Sequence, residues 1–259
     1  MLLCYSALSP FCRKVRMVLD WKGIDHEVFD SCDIAKYPAY NPRAEIPILV
    51  DDGLTIVNSA DILLYLDRKY PKLAIYPSDP AAYATVRRWE RDADTAIDAI
   101  VTDVAIYKWA DIPPPPPGLI DAAKRDLIRV YSELETLLDG RDYVVGALSV
   151  ADFALFPQLG SAQLLRIGST PEQHPRVFAW LARMGATPEG GRDTALKLEW
   201  WAKREEQDLD TKRINWGTYR LEWFLANGFL DHFAEEVKGN RVLWSVGPQA
   251  NANNSPLAP

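Results

Sequence analysis

The chain has 259 residues, is 48% hydrophobic, and carries a formal net charge of −7 with a pI near 5.1. That length is long for one domain and short for three, and the apolar content can bury a sizeable core. The acidic balance speaks against a nucleic-acid partner, no uncharged apolar stretch of ~18 residues is present to span a membrane, and no secretory signal is expected from the N-terminus. Three cysteines (Cys4, Cys12, Cys32) and three histidines suit a reducing cytoplasm, with neither a disulfide scaffold nor metal-ligand spacing.

In chain order, "LLCYS" reads as a buried strand. Ser9 is a good N-cap, and Pro10 fits the first helical position. Val15, Val18 and Leu19 recur at helical spacing, and Gly23 closes the helix. The basic residues of "CRKVR" are expected to form a solvated face. "HEVFD" is a second short strand, and "PILVDDGLTIVNS" is a hairpin turning at Asp52-Gly53. Ser59 is expected to cap "ADILLYLDRKY", which Pro71 stops. This order over about 75 residues predicts a small α/β domain with a mixed sheet.

A Pro-rich linker follows, and from Ala81 only helical periodicity is present. One long helix is predicted to Trp109, where Pro113–Pro117 break the chain as a rigid spacer. Another covers Leu119–Leu138. Ser149 and Asp152 form a capping box ahead of a mostly apolar helix, the expected centre of a helical domain. A helix after Pro175 carries Val177, Trp180, Leu181 and Met184. Beyond Gly191 the aromatic-rich tail predicts two further amphipathic helices, and residues 246–259 are expected to be disordered.

The stretch "SPFCRKVR" poses the functional question. Ser9 stands where a dithiol site would carry its attacking sulfur, and Cys12 stands at the resolving position. With "NPRAEIPIL", "NSADI" and "SVAD" following in order, the chain resembles the cytosolic glutathione transferase superfamily. Its first-helix motif is similar to that of bacterial, Ser-type members with an omega-like N-terminus. The resemblance covers about residues 1–188. It implies a thioredoxin-like glutathione-binding domain over 1–75, a linker at 76–80 and an all-helical domain over 81–245.

It implies site residues as well. Ser9 would be catalytic, its hydroxyl holding the thiolate of glutathione, the co-substrate; read from the residues alone, it is a helix cap. Phe11, Ile46, Pro47, Asn58 and Ser59 would bind glutathione. The Ile46–Pro47 bond would be cis, with Ile46 offering its backbone to the bound peptide. Ser59 and its helix N-terminus would take the γ-glutamyl carboxylate. Asn58 stands where Glu or Gln is usual, and Glu45 where Lys or Gln is common. Trp109 and Trp223 would line the pocket of a small-molecule electrophile, with core packing or a dimer contact as the other reading of each.

The implied protein is a cytoplasmic homodimer acting by conjugation, dehalogenation or ether cleavage, with no nucleic-acid or membrane partner. Two alternatives stand beside it: a transferase-like binding protein without catalysis, and a thiol–disulfide oxidoreductase using Cys12. Neither Cys4 nor Cys32 is assigned a role.

Overall fold

The structure is a computed structural model describing residues 1–30, 41, 45–109, 112–203 and 215–242. Cys32 and the terminal stretch 246–259 lie outside the described residues. Four short strands form one sheet in the order β2-β1-β3-β4. β1 (Leu2–Tyr5) pairs in parallel with β2 (Glu27–Asp30) and antiparallel with β3 (Ile48–Asp51), which pairs antiparallel with β4 (Leu54–Val57). The parallel pair needs a crossover, supplied by α1 (Pro10–Trp21). The antiparallel pair needs only the predicted tight turn, where Asp52 and Gly53 have φ of 49° and 83°, the primed geometry that matches strand twist. α2 (Ser59–Lys69) packs on α1 and the β3–β4 hairpin.

The helical part opens at Pro80, capped by the Asp79 carboxylate, which accepts from the Ala82 N–H. α3 (Pro80–Asp92) and α4 (Asp98–Trp109) form the long predicted helix, with one widened π-turn at Ala93–Ile97 between them. A π-turn loosens local backbone pairing; here the Ala93 carbonyl accepts from Gln158 Nε2 at 3.0 Å. α5 spans Leu119–Leu137, α6 Val150–Leu164 and α7 Pro175–Ala186. The capping box is present: the Asp152 carboxylate accepts from the Ser149 N–H and hydroxyl. It also accepts from Val144 N and Trp180 Nε1, all buried, so α6 is pinned at the middle of the bundle. The cores of both halves merge into one apolar cluster.

Three expectations change. Asn58, not Ser59, caps α2: its φ of 71° suits Asn, and its side chain accepts from the Ala60 N–H at 3.0 Å. Ser59 is the first helical residue and is buried. Among its described residues the tail holds three helices instead of two: α8 (Pro188–Ala202), α9 (Thr218–Ala226) and α10 (Leu230–Lys238). α8 starts ahead of Gly191 because Thr187 caps it, its hydroxyl oxygen accepting from the Gly190 N–H at 3.1 Å, with Pro188 at the first helical position; Gly190 is pressed against α7, where a Cβ would lie 2.0 Å from the Met184 carbonyl oxygen. Gly228, with φ of 82°, separates α9 from α10. Lastly, "CRKVR" is no solvated face, since Arg13 and Lys14 are 2% and 1% exposed.

Candidate functional site

The sheet register brings the scattered motifs together. Cys4 pairs with Ile48, and Ile48 with Val57. The end of β1, the start of β3 and the end of β4 therefore share one end of the sheet. Ser9 follows the first, Ile46–Pro47 precede the second, and Asn58–Ser59 follow the third. α1 and α2 both begin at this end, so two helix N-termini lie beside one another, an arrangement that favours negative charge.

Ser9 has φ −79° and ψ 117°, its N–H donates to Ser6 O, and its hydroxyl oxygen accepts from the Cys12 N–H at 3.3 Å. A hydroxyl has one proton and two lone pairs. The cap uses a lone pair and leaves the proton to be given elsewhere, so the cap and donor roles are compatible. Phe11, two residues on, is half-buried. Cys12 and Cys4 are fully buried and outside any disulfide, and burial pushes the Cys4 thiol upward. A resolving thiol must be reached by a mixed disulfide, and Cys12 is closed to one.

The Ile46–Pro47 bond is cis, Pro47 is buried and Glu45 is exposed. Asn41, which the motif reading did not single out, is 3% exposed, and its amide donates to Glu45 O at 2.9 Å just before that bond. Ser59 lies at the buried first turn of α2, while Asn58 is exposed beside it. The side chain of Trp109 lies outside the described set. Trp223 is half-buried and tied to α5, its Nε1 donating to Asp126 Oδ2 at 3.0 Å. Among the described residues, its hydrogen bond leads to α5 and not to the Ser9 end of α1.

Two buried cations fix α1 below Ser9. The Arg13 guanidinium donates through Nε and Nη2 to both oxygens of Asp193 in α8, at 2.9 and 2.6 Å, and through Nη1 to Pro157 O of α6. Lys14 Nζ donates to both oxygens of Asp94 in the π-turn, at 2.7 and 2.5 Å. Beyond Arg13, Lys197 donates to Ser161 Oγ at 2.6 Å. Burial, reinforced by the Arg13 charge, pushes this ammonium down to about 6. Sequence reading missed this set because helical basic residues are usually solvated; the apolar neighbours Val15, Met17 and Val18 were the one available hint.

Comparisons with known proteins place the chain in a family. The family profile "Glutathione S-transferase, N-terminal domain" matches residues 3–74, and "Glutathione S-transferase, C-terminal domain" matches 117–183. Glutathione S-transferase D6 of Drosophila melanogaster is 31% identical over 203 residues, covering 74% of this chain and 90% of its own. Glutathione S-transferase omega-1 of Rattus norvegicus is 26% identical over 187 residues, covering 69% and 74%. A crystal structure of a glutathione S-transferase from Methylobacillus flagellatus with glutathione bound superposes with a TM-score of 0.65 at 28% identity, over 74% of this chain and 98% of that one. With both halves matched in order and a relative above 30% identity covered over most of its length, this chain belongs to the glutathione S-transferase family, as an enzyme whose co-substrate is glutathione.

Proposed function

We propose that the Ser9 hydroxyl donates a hydrogen bond to the sulfur of bound glutathione and so holds it as a thiolate for attack on an apolar electrophile. The observation that carries this is the Ser9 cap, which engages the oxygen and leaves the proton available at a helix N-terminus. A hydrogen bond to a charged sulfur contributes ~1.5–3 kcal/mol, which brings a thiol from about 8.5 to roughly 6.5–7.5. The α1 N-terminus adds ~0.3–1 kcal/mol. The thiol proton leaves to solvent, sulfur bonds to the electrophilic carbon, and the leaving group departs with its electron pair. Conjugation, dehalogenation and aryl-ether cleavage all begin with this step.

In this reading residues 1–75 bind glutathione, with Phe11 and Pro47 shaping the groove and Ile46 offering backbone to the peptide. Ser59, with the α2 N-terminus, takes the γ-glutamyl carboxylate, and Asn58 accepts beside it. The electrophile is expected between the two halves, beside α4 and the tail. The burial of Cys12 argues against the oxidoreductase reading. Among the described residues no helix is long and apolar enough to cross a membrane. A thiol co-substrate and two buried cysteines outside any disulfide suit a reducing compartment, and we assign the protein to the cytoplasm.

Calorimetry with glutathione, then turnover of an aryl halide, a haloalkane and an aryl ether, tests the proposal. Binding tighter than ~10 mM together with turnover of at least one electrophile is expected. A dissociation constant above ~10 mM, about −3 kcal/mol, would leave the binding-protein reading in its place.

A further inference from the structure

Ser9 is aimed by the first turn of α1. Its carbonyl oxygen accepts from the Arg13 N–H at 3.0 Å, and its hydroxyl oxygen accepts from the Cys12 N–H at 3.3 Å. A hydrogen bond weakens steeply once its donor swings off line. Whatever holds this turn against rotation and sliding therefore decides how well the hydroxyl meets a sulfur.

Two adjacent residues of α8 hold it. Asp193 takes Nε and Nη2 of Arg13 on its two oxygens, and Arg192 Nη1 donates to Asp20 Oδ1 at 3.1 Å and Oδ2 at 3.2 Å. Arg13 and Asp20 are seven residues apart on α1, about 10 Å along its axis. The polarity reverses between the two contacts: α1 gives the cation at the first and the anion at the second. Sliding or turning α1 breaks both. Their weights differ. The Arg192 side chain is 54% exposed, and a surface pair contributes little. The Arg13 and Asp193 side chains are 2% and 3% exposed, and a guanidinium fork fits a carboxylate in one orientation.

α8 is itself fixed, capped by Thr187 and pressed on α7 at Gly190. Lys197, one turn beyond Asp193, shares Ser161 Oγ with Arg13 Nη1. The charges acting on Lys197 are Arg13 of α1 and Asp193 of its own helix. From α6 it meets the uncharged Ser161, and the arginines of α7 pair elsewhere, Arg176 with Glu135 and Arg183 with Asp142. Above about pH 6 Lys197 is neutral, and the Asp193 carboxylate is left wholly to Arg13.

We infer that Asp193 is a positioning residue for Ser9: acting through Arg13, it fixes the first turn of α1 in the orientation that points the Ser9 hydroxyl at the glutathione sulfur. The inference rests on the Ser9 reading proposed above. It gives α8, which begins beyond both profile matches, a part in the reaction.

The test is a titration, between about pH 6.5 and 9.5, of the thiolate absorbance of glutathione bound to the full chain, a range that brackets an ordinary thiol. Asp193→Asn keeps an acceptor and releases the fork. It is expected to raise the bound thiol by ~0.5–1 unit, part of the ~1–2 units the Ser9 bond supplies. Turnover near pH 6.5 should fall about threefold to tenfold, and the deficit should close by about pH 9, where the thiol ionises unaided. Affinity for S-methylglutathione, which has no proton on sulfur, should stay within about twofold of the parent. Loss of that affinity in step with the titration would make Asp193 a merely structural residue and overturn the assignment. Asp193→Glu offers the fork a carboxylate again and should return the titration toward the parent. Arg13→Met with Asp193→Leu replaces the buried pair by apolar side chains, a change that folds tolerate well, and should show the same upward shift. A parent-like titration in that folded variant overturns the inference. In a Ser9→Ala background Asp193→Asn should add nothing, since the two act in series; a full further shift there also overturns it. If Ser9→Ala alone leaves the bound thiol unmoved, the Ser9 reading itself falls, a different outcome.

Discussion

Ser9 meets two demands with two ends of one hydroxyl, and substitutions can separate them. Ser9→Ala removes both, so it is expected to lose ~1 kcal/mol of stability as a lost cap. It should also lose ~10–100-fold in turnover, from ~1.5–3 kcal/mol of thiolate stabilisation. Glutathione affinity should change far less, because the neutral thiol gains little from the bond. Ser9→Asp keeps an acceptor for the Cys12 N–H, and a negative charge suits a helix N-terminus. It has no proton to donate at neutral pH. Thermal melting should therefore stay near the parent while turnover falls at least as far as in Ser9→Ala. Parent-like turnover in either variant would reduce Ser9 to its cap.

At the scale of elements, α1 is the part the helical half holds most firmly. Asp193→Ala would leave the Arg13 guanidinium buried without its carboxylate, and removal of one partner of a buried pair destabilises by ~3–5 kcal/mol. Chemical denaturation of that variant should show this loss, and a change under ~1 kcal/mol would show that water replaces the carboxylate. The tail has a different anchor. α9 packs on α4, and Arg220 pairs with Asp103, a fully buried residue of α4. Burial pushes Asp103 up to about 7, against the pull of Arg220 and with Asp98 reinforcing. Its folded value lies above the ordinary ~3.9, so the native chain binds this proton more tightly than the unfolded chain. The stability gained is full below about pH 4 and is lost as pH rises through 7. Asp103→Asn stays neutral throughout, so its stability relative to the parent should rise by about 2–3 kcal/mol between pH 5 and pH 8. A difference independent of pH would place the titration elsewhere. These anchors also mark how far the sequence could be read. β1, the Asp52-Gly53 turn, the Pro10 start of α1 and the Ser149 box obey rules that act over a few residues, and each was legible. Arg13 finds its partner 180 residues away and Lys14 finds one 80 away, and nothing local signals either. The break between α9 and α10 had a local signal, Asn227-Gly228, that the aromatic periodicity outweighed.

For the whole molecule, membership of the family leads us to expect a homodimer in which the sheet-bearing half of one chain meets the helical half of the other. The surface of this chain is consistent with that pairing. β4 is an edge strand with Leu54 and Val57 exposed, and Tyr83 is exposed on α3. An open edge with apolar side chains invites pairing unless something covers it. Light scattering at micromolar concentration should therefore return twice the 29.2 kDa chain mass. A monomeric mass would refute the dimer outright. If the edge is what the partner covers, Leu54→Lys with Val57→Lys should shift the protein toward monomer, since two desolvated ammonium groups without partners weaken an interface severely. Neither residue packs in the core, so melting of the monomer should change little. A dimer of undiminished stability in that variant would move the interface off β4 and onto another face of the helical half.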